Sequence, residues 1–85
     1  MTAEELRSLV AKNIRERRRE LHITQVGLAE ACEVEQSTIS SIESGKTGVN
    51  DKMLAKISEA LNVHPAALFM EPSKKATSKN LKMVS

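Results

Sequence analysis

The sequence is poor in aromatic residues and in cysteine. Its 85 residues contain no tryptophan or tyrosine, one phenylalanine (Phe69) and one cysteine (Cys32). One cysteine excludes an internal disulfide, and the shortage of rings disfavours the base stacking used by single-strand and RNA-binding proteins. The chain also lacks an apolar run of the roughly 20 residues that span a bilayer and lacks a secretory signal. We therefore expect a soluble cytoplasmic protein with no membrane contact.

The side chains that would support a metal site or an enzyme are few and poorly spaced. The spacing of His22, Cys32 and His64 matches no zinc-binding pattern. No Gly-rich phosphate loop is present, and no histidine stands at a predictable distance from the serines near residue 40 to activate one as a nucleophile. We predict no metal, no cofactor and no enzymatic activity.

Charge is divided unevenly along the chain. The net charge is +2, but four lysines lie beyond Pro72, so residues 1 to 71 carry nine basic and eleven acidic side chains, a net charge of −2. Residues 72 to 85 have little to bury, and we predict a disordered basic tail that either follows phosphates or keeps the protein soluble. Residues 1 to 71 are predicted to be one folded domain. Composition alone therefore does not establish nucleic-acid binding, which must depend on where the charges lie.

Helical periodicity and helix-start residues predict an all-α fold. The apolar residues are mainly Leu, Ile, Val, Ala and Met, with no alternating run that predicts a strand. Thr2, Thr24 and Asn50 are good N-terminal caps, and His22 is expected to adopt a left-handed conformation at the end of the first helix. Pro65 is well suited to begin a short last helix. The predicted helices cover residues 3 to 21, 24 to 32, 36 to 44 and 51 to 61 and a short segment from 65.

The third predicted helix is unusually polar for its length. Ile39 and Ile42 are expected to face inward, whereas the other residues are mostly serine and threonine, which are poor helix formers. This composition indicates that the polar side chains serve a purpose other than folding.

This pattern resembles the Cro and phage-repressor type of helix-turn-helix domain, also called the xenobiotic-response-element family. The resemblance covers residues 10 to 69 and is carried by Ile14, Arg18, Ile23-Thr24-Gln25, Leu28-Ala29, Val34, Ser37-Thr38-Ile39-Ser40, Ile42-Glu43, Gly45-Lys46, Leu54, Ile57, Ala60-Leu61 and Val63. In size the chain is similar to small stand-alone regulators such as the controller proteins of restriction-modification systems. The resemblance implies a five-helix lambda-repressor-like domain whose second and third helices bind double-stranded DNA.

The resemblance also implies roles for the polar residues around the third helix. In this family the start of that helix enters the major groove, which is about 12 Å wide. Because glutamine pairs bidentately with adenine, Gln36 is expected to be the most discriminating residue. The implied base-reading residues are Gln36, Ser37 and Ser41, with Thr38 and Ser40 near the groove wall. The implied phosphate contacts are Gln25, Ser44, Lys46 and Lys52.

Other charged residues receive structural or alternative interpretations. By resemblance, Arg18 and Glu43 form an ion pair between the first and third helices. Arg15, Arg17 and Arg19 form either a phosphate-binding patch or, as we favour, a solvated face. The role of Glu35 is left open, because the family more often has Ser, Thr or Asp as the cap there.

A domain this small touches few base pairs, so sequence specificity predicts a homodimer on a near-palindromic site. Half-sites would lie one helical turn apart, roughly 34 Å. The favoured dimer surface is C-terminal and consists of Leu61, Val63, Pro65, Leu68, Phe69 and Met70. The alternative for these residues, and for Leu61 and Leu68 especially, is the core of a single chain. The alternative surface is the early first helix, with Leu6 and Leu9. The predicted function is a transcriptional regulator such as a repressor, and the alternative is an antitoxin or protein-binding adaptor with the same fold.

Overall fold

The computed structural model describes residues 1–71, and its regular elements are all helical. No strand occurs within these residues, so the predicted all-α class is confirmed. The fifth predicted helix is a 3₁₀ helix rather than an α-helix. The predicted tail at 72–85 lies outside the described residues. The elements are α1 (Ala3–Glu20), α2 (Gln25–Cys32), α3 (Gln36–Glu43), α4 (Asp51–Leu61) and the 3₁₀ helix (Pro65–Phe69).

Three of the helix starts follow local sequence signals. The side chains of Thr2, Thr24 and Asn50 each accept a hydrogen bond from the backbone N–H three residues later, at 2.8 to 3.0 Å. Thr2 also donates its own backbone N–H to the Glu5 carboxylate at 2.7 Å, which completes a capping box. Hydrogen bonds from the backbone and side chain of Thr2 lower the pKa of Glu5. These contacts confirm the three predicted caps.

The ends of three helical segments depend on left-handed residues that are not glycine. His22, Glu33 and Asn62 have φ angles of 58°, 58° and 54°, which is uncommon for residues with a Cβ atom. The conformation of His22 was predicted, whereas that of Glu33 was not. Glu33 reverses the chain immediately after α2, so the turn between α2 and α3 depends on this one backbone conformation.

The core forms where α1 packs against the later helices. Ile14, Leu28, Ile39, Ile57 and Leu61 are completely buried. All four α-helices contribute to this set, so the position of each helix depends on its packing against the others. Burial of apolar area, at about 25 cal/mol per Å², is the main force holding this arrangement together.

Leu61 and Leu68, predicted at the dimer surface with the core as their alternative, belong to this core. Leu61 has an exposed fraction of 0% and Leu68 of 2%. For Leu68 the physical reason is Asn13 on α1, whose side-chain amide donates hydrogen bonds to the carbonyl oxygens of Leu68 and Met70, both at 2.8 Å. These bonds draw the 3₁₀ helix back onto α1. A side chain that is already covered within one chain has no surface to offer a second copy.

Cys32 is buried, and burial raises the pKa of its thiol, with the nearby Lys56 acting in the opposite direction. With a raised pKa, the folded protein holds the thiol proton more tightly than the unfolded chain does. The free energy of unfolding is therefore highest below the unfolded pKa of about 8.5 and falls as the pH rises through the folded pKa. We expect the melting temperature of the wild type to fall more steeply above pH 8.5 than that of Cys32→Ala. Thermal unfolding followed by circular dichroism checks this, and parallel slopes for the two proteins would contradict it.

Candidate nucleic-acid interface

The α3 helix has one buried side and one exposed polar side. Ile39, Ile42 and Glu43 are buried against the rest of the domain. Ser41 is half-buried, and the other four residues predicted to read bases are exposed, namely Gln36, Ser37, Thr38 and Ser40. At 3.6 residues per turn, Ser37 and Ser41 lie nearly opposite Ile39 and Ile42. A hydrogen-bonding face therefore points away from the core along the length of α3.

Glu35 precedes α3, and the structure excludes one role for its side chain. Its backbone is extended, as expected for a capping position, but its carboxylate makes no hydrogen bond to the first turn of α3. The side chain is exposed. The carboxylate lies beside the positive end of the α3 dipole, and this dipole stabilises its negative charge. Glu35 is thus the N-cap by backbone position and not by side-chain chemistry.

A buried ion pair joins α1 to the end of α3. Arg18 donates from Nε to Glu43 Oε2 at 2.7 Å and from Nη2 to Glu43 Oε1 at 2.9 Å. A third hydrogen bond runs from Arg18 Nη1 to the carbonyl oxygen of Ile23 at 2.9 Å. The hydrogen bond with Glu43 raises the pKa of Arg18, although burial acts in the opposite direction. This two-pronged geometry is the strong form of an Arg–carboxylate contact.

Hydrogen bonds link the ion pair to two glutamines nearer the surface. Gln25 Nε2 donates to Glu43 Oε1 at 3.1 Å, and Gln36 Nε2 donates to Gln25 Oε1 at 3.5 Å. The sequence predicted Gln25 as a phosphate contact but not these links to α3. Gln25 is half-buried and stands at the start of α2, beside the exposed start of α3. Hydrogen bonds therefore join residues for which three different roles were predicted, namely an ion pair, a phosphate contact and a base contact.

Two further arginines of α1 hold the ends of other helices. Arg15 donates to the backbone carbonyl of Glu43, and Arg17 Nε donates to the carbonyl oxygen of Leu61 at 3.0 Å. Cations are favoured at helix C-termini, where carbonyl groups lack partners within the helix. Arg19 is exposed. These bonds give Arg15 and Arg17 a structural role that was not predicted from the sequence.

The predicted phosphate contacts around α3 differ in how available they are. Lys46 follows α3 directly and Lys52 is the second residue of α4, and both side chains are exposed. Ser44 is exposed too, but its hydroxyl donates to the carbonyl oxygen of Ser41 at 3.0 Å. A serine hydroxyl has one hydrogen to donate. In this conformation Ser44 has none left for a phosphate.

A small apolar groove lies between the start of α1, the α3–α4 loop and the 3₁₀ helix. Its volume is about 120 Å³, and its apolar walls are Leu6, Val10, Ile42, Val49 and Phe69. Leu6 and Phe69 are each 40% exposed. The two alternative surfaces predicted for self-association therefore meet at this groove.

Two kinds of site do not occur in the part of the chain that the structure describes. Residues 1–71 contain no group of three His, Cys, Asp or Glu side chains that could hold a metal ion. None of the helices formed by these residues is long and apolar enough to cross a membrane.

Two short helices joined by a tight turn, with the second helix exposing a polar face, define the helix-turn-helix class. The helix-turn-helix family model HTH_3 matches residues 14–68, and the chain belongs to this family. An uncharacterized HTH-type transcriptional regulator of Sinorhizobium fredii, y4aM, is 38% identical over 60 residues, which are 71% of this chain and 42% of that protein. The chain thus spans less than half the length of this relative.

Solved structures agree with this assignment. The clp gene regulator ClgR from Corynebacterium glutamicum has a TM-score of 0.75 and 28% identity, with 93% of this chain and 88% of that chain covered. The restriction-modification controller protein C.AhdI from Aeromonas hydrophila has a TM-score of 0.71 and 25% identity, with coverage of 74% and 96%. The hypothetical transcription factor NHTF from Neisseria has a TM-score of 0.81 and 23% identity, with coverage of 91% and 88%, and shows the fold alone. The predicted resemblance to controller proteins is confirmed.

Proposed function

We propose that the protein is a sequence-specific transcriptional regulator that places α3 in the major groove of double-stranded DNA. The observation that carries this proposal is the division of α3 into a buried side, which fixes its position, and an exposed side of small hydrogen-bonding residues. The major groove admits one helix and presents donors and acceptors that differ for each base pair. Membership of the helix-turn-helix family supports the same function.

Within this proposal the exposed residues of α3 contact bases and the residues around it contact phosphates. Gln36, Ser37 and Ser41 read base edges, with Thr38 and Ser40 beside the groove wall. The phosphate contacts come from Gln25 at the start of α2, from Lys46 and from Lys52. Ser44 is the weakest of the predicted contacts, since its hydroxyl hydrogen is already bonded to the carbonyl oxygen of Ser41.

Because the domain has a net negative charge, its affinity for DNA depends on where these contacts lie. Residues 1 to 71 carry a net charge of −2, so broad attraction between the domain and DNA is not available. Binding must be focused on the few cations and backbone N–H groups that surround α3. The affinity should therefore depend strongly on individual lysines.

The protein is further proposed to act as a homodimer, with the apolar groove as the contact between copies. Phe69 and Met70 are exposed, at 40% and 38%, whereas Leu61 and Leu68 belong to the core. Val63 and Pro65 are half-buried. Leu6 lies across the groove from Phe69 and joins the same surface. A dimer would bring two α3 helices to successive turns of a near-palindromic site.

Gln36 and Lys46 should differ in their effects on DNA binding. Gln36→Ala is expected to cost about 1 to 3 kcal/mol and to relax preference at one base pair. Lys46→Ala is expected to weaken binding to all sequences and to reduce the salt slope by about 1. A gel-shift titration against the region upstream of the protein's own gene, repeated at several salt concentrations, measures both effects.

Two outcomes of the titration would contradict the regulator function. One is no shift of the DNA at low salt, and the other is equal affinity for random DNA. Either would favour the adaptor hypothesis, in which the apolar groove binds another protein instead of a second copy.

A further inference from the structure

Arg7 is the charged residue of the apolar groove, and it has no acidic partner in the described part of the chain. Its side chain is half-buried and lines the groove together with Leu6 and Phe69. The Nε atom is buried and makes no hydrogen bond within residues 1–71. Neither ion pair formed by these residues involves Arg7. Because a guanidinium that is partly removed from water normally has acceptors for its N–H groups, we expect an acceptor from outside the domain.

The α3–α4 loop packs against the aliphatic part of Arg7. A Cβ atom at Gly48 in this loop would lie 3.5 Å from Arg7 Cδ, which is ordinary van der Waals distance. The loop thus covers the methylene groups of Arg7 on one side. Together, the apolar walls and the guanidinium form a site that fits an apolar side chain with an acidic group beside it.

The chain carries this combination at the rim of the same groove. Phe69 and Met70 are 40% and 38% exposed, and the exposed Glu71 follows them directly. Asn13 holds this segment against α1 by donating a hydrogen bond to the carbonyl oxygen of Met70 at 2.8 Å. The backbone next to Glu71 is therefore held beside the groove. Glu71, like Arg7, takes part in no ion pair within residues 1–71.

We propose that Glu71 of each copy in the homodimer forms an ion pair with the partner's Arg7, while Met70 fills the partner's apolar groove. This inference rests on the proposed function and names the residues by which the protein selects a second copy of itself. A two-fold contact is self-complementary, so a surface that carries both an arginine and a carboxylate supplies two identical ion pairs. The groove, at about 120 Å³, has room for one side chain, since a cavity of roughly 150 Å³ holds a benzene ring.

The charge of Arg7 favours the second copy over the other occupant that the chain offers. Residues 72 to 85 include the apolar residues Leu81 and Met83, but they also include four lysines and no acidic residue. Lys82 stands between the two apolar residues, so its ammonium group would come close to Arg7 and repel it. Glu71 of a second copy attracts the same guanidinium. Opposite charges at the rim of an interface favour the correct partner, and like charges disfavour the wrong one.

Charge reversal in the full-length protein tests the pairing. Arg7→Glu and Glu71→Arg each bring like charges together in a homodimer, so each should weaken self-association roughly 10- to 100-fold in sedimentation at micromolar concentration. An equimolar mixture of the two variants should recover near-wild-type association, because both contacts of the mixed dimer join a glutamate to an arginine. Glu59→Arg makes the same charge change at an exposed position of α4 and is the matched control. It should leave self-association unchanged.

Two features of the design separate the ion pair from a folding defect. Recovery in the mixture requires both variants to be folded, and circular dichroism checks each of them alone. Glu71→Arg changes an exposed side chain that makes no hydrogen bond to the described residues, so it tests the pairing even if Arg7→Glu fails to fold. The chain that carries both changes, Arg7→Glu/Glu71→Arg, should self-associate like the wild type.

Three results would overturn the proposed ion pair. Unchanged association in both single variants is one, and a mixture that associates as weakly as the single variants is another. Either would leave the regulator function intact, since the gel shift measures that function separately. The third is a wild type that stays monomeric, which would overturn the ion pair and the homodimer together.

Discussion

Replacing Arg18 with alanine is expected to reduce the free energy of unfolding by about 3 to 5 kcal/mol. The side chains of Arg18 and Glu43 are only 11% and 2% exposed, so the variant leaves a buried carboxylate without its cation. The hydrogen bond from Arg18 to the carbonyl oxygen of Ile23 is lost as well. A domain of this size has a total stability of roughly 4 to 10 kcal/mol, so much of the fold's stability should disappear. Urea unfolding followed by far-UV circular dichroism measures the loss.

Companion variants distinguish the loss of the ion pair from the loss of packing around Arg18. The double variant Arg18→Met/Glu43→Leu removes both charges and should recover much of the stability, because apolar residues of similar volume often replace a buried pair without loss. Arg19→Ala, on an exposed position of the same helix, should change the stability by less than about 0.5 kcal/mol. A coupling energy near zero in the Arg18 and Glu43 double-mutant cycle would contradict the interpretation.

Leu61→Ala is expected to destabilise the domain by about 2 to 5 kcal/mol. Leu61 is completely buried at the end of α4, and truncation leaves a cavity among the core side chains. Urea unfolding at a fixed protein concentration should show the full loss.

Phe69→Ala provides the contrast to Leu61→Ala. Phe69 is 40% exposed beside the apolar groove, so its truncation should change unfolding less and should weaken self-association instead. Sedimentation of the three proteins at micromolar concentration separates the two effects. If Leu61→Ala altered self-association while leaving the unfolding energy unchanged, the assignment of Leu61 to the core would be wrong.

The parts of the fold that were predictable from the sequence depend on contacts close along the chain. The caps at Thr2, Thr24 and Asn50 bond to residues three positions later, so the residue type and the following apolar pattern suffice to locate a helix start. The left-handed turn at Glu33 has no such signal, because glutamate has no preference for that conformation.

The parts that were missed depend on contacts between distant segments. Periodicity did not distinguish core from dimer surface for Leu61 and Leu68. The Asn13 bonds that hold the segment of Leu68 against α1 span 55 and 57 residues. The bond from Gln25 to Glu43 spans 18 residues and the bond from Arg17 to Leu61 spans 44. Composition and spacing carry no information about which polar groups meet once the helices pack.

In the proposed function, the exposed face of α3 selects a DNA sequence. Selection of binding sites from a random pool of double-stranded DNA by the full-length wild type tests it most directly. The expected product is a near-palindromic site whose half-sites lie about one helical turn, roughly 34 Å, apart, with a fixed adenine in each half. A pool that remains random after repeated rounds, although the protein is folded, would contradict the claim.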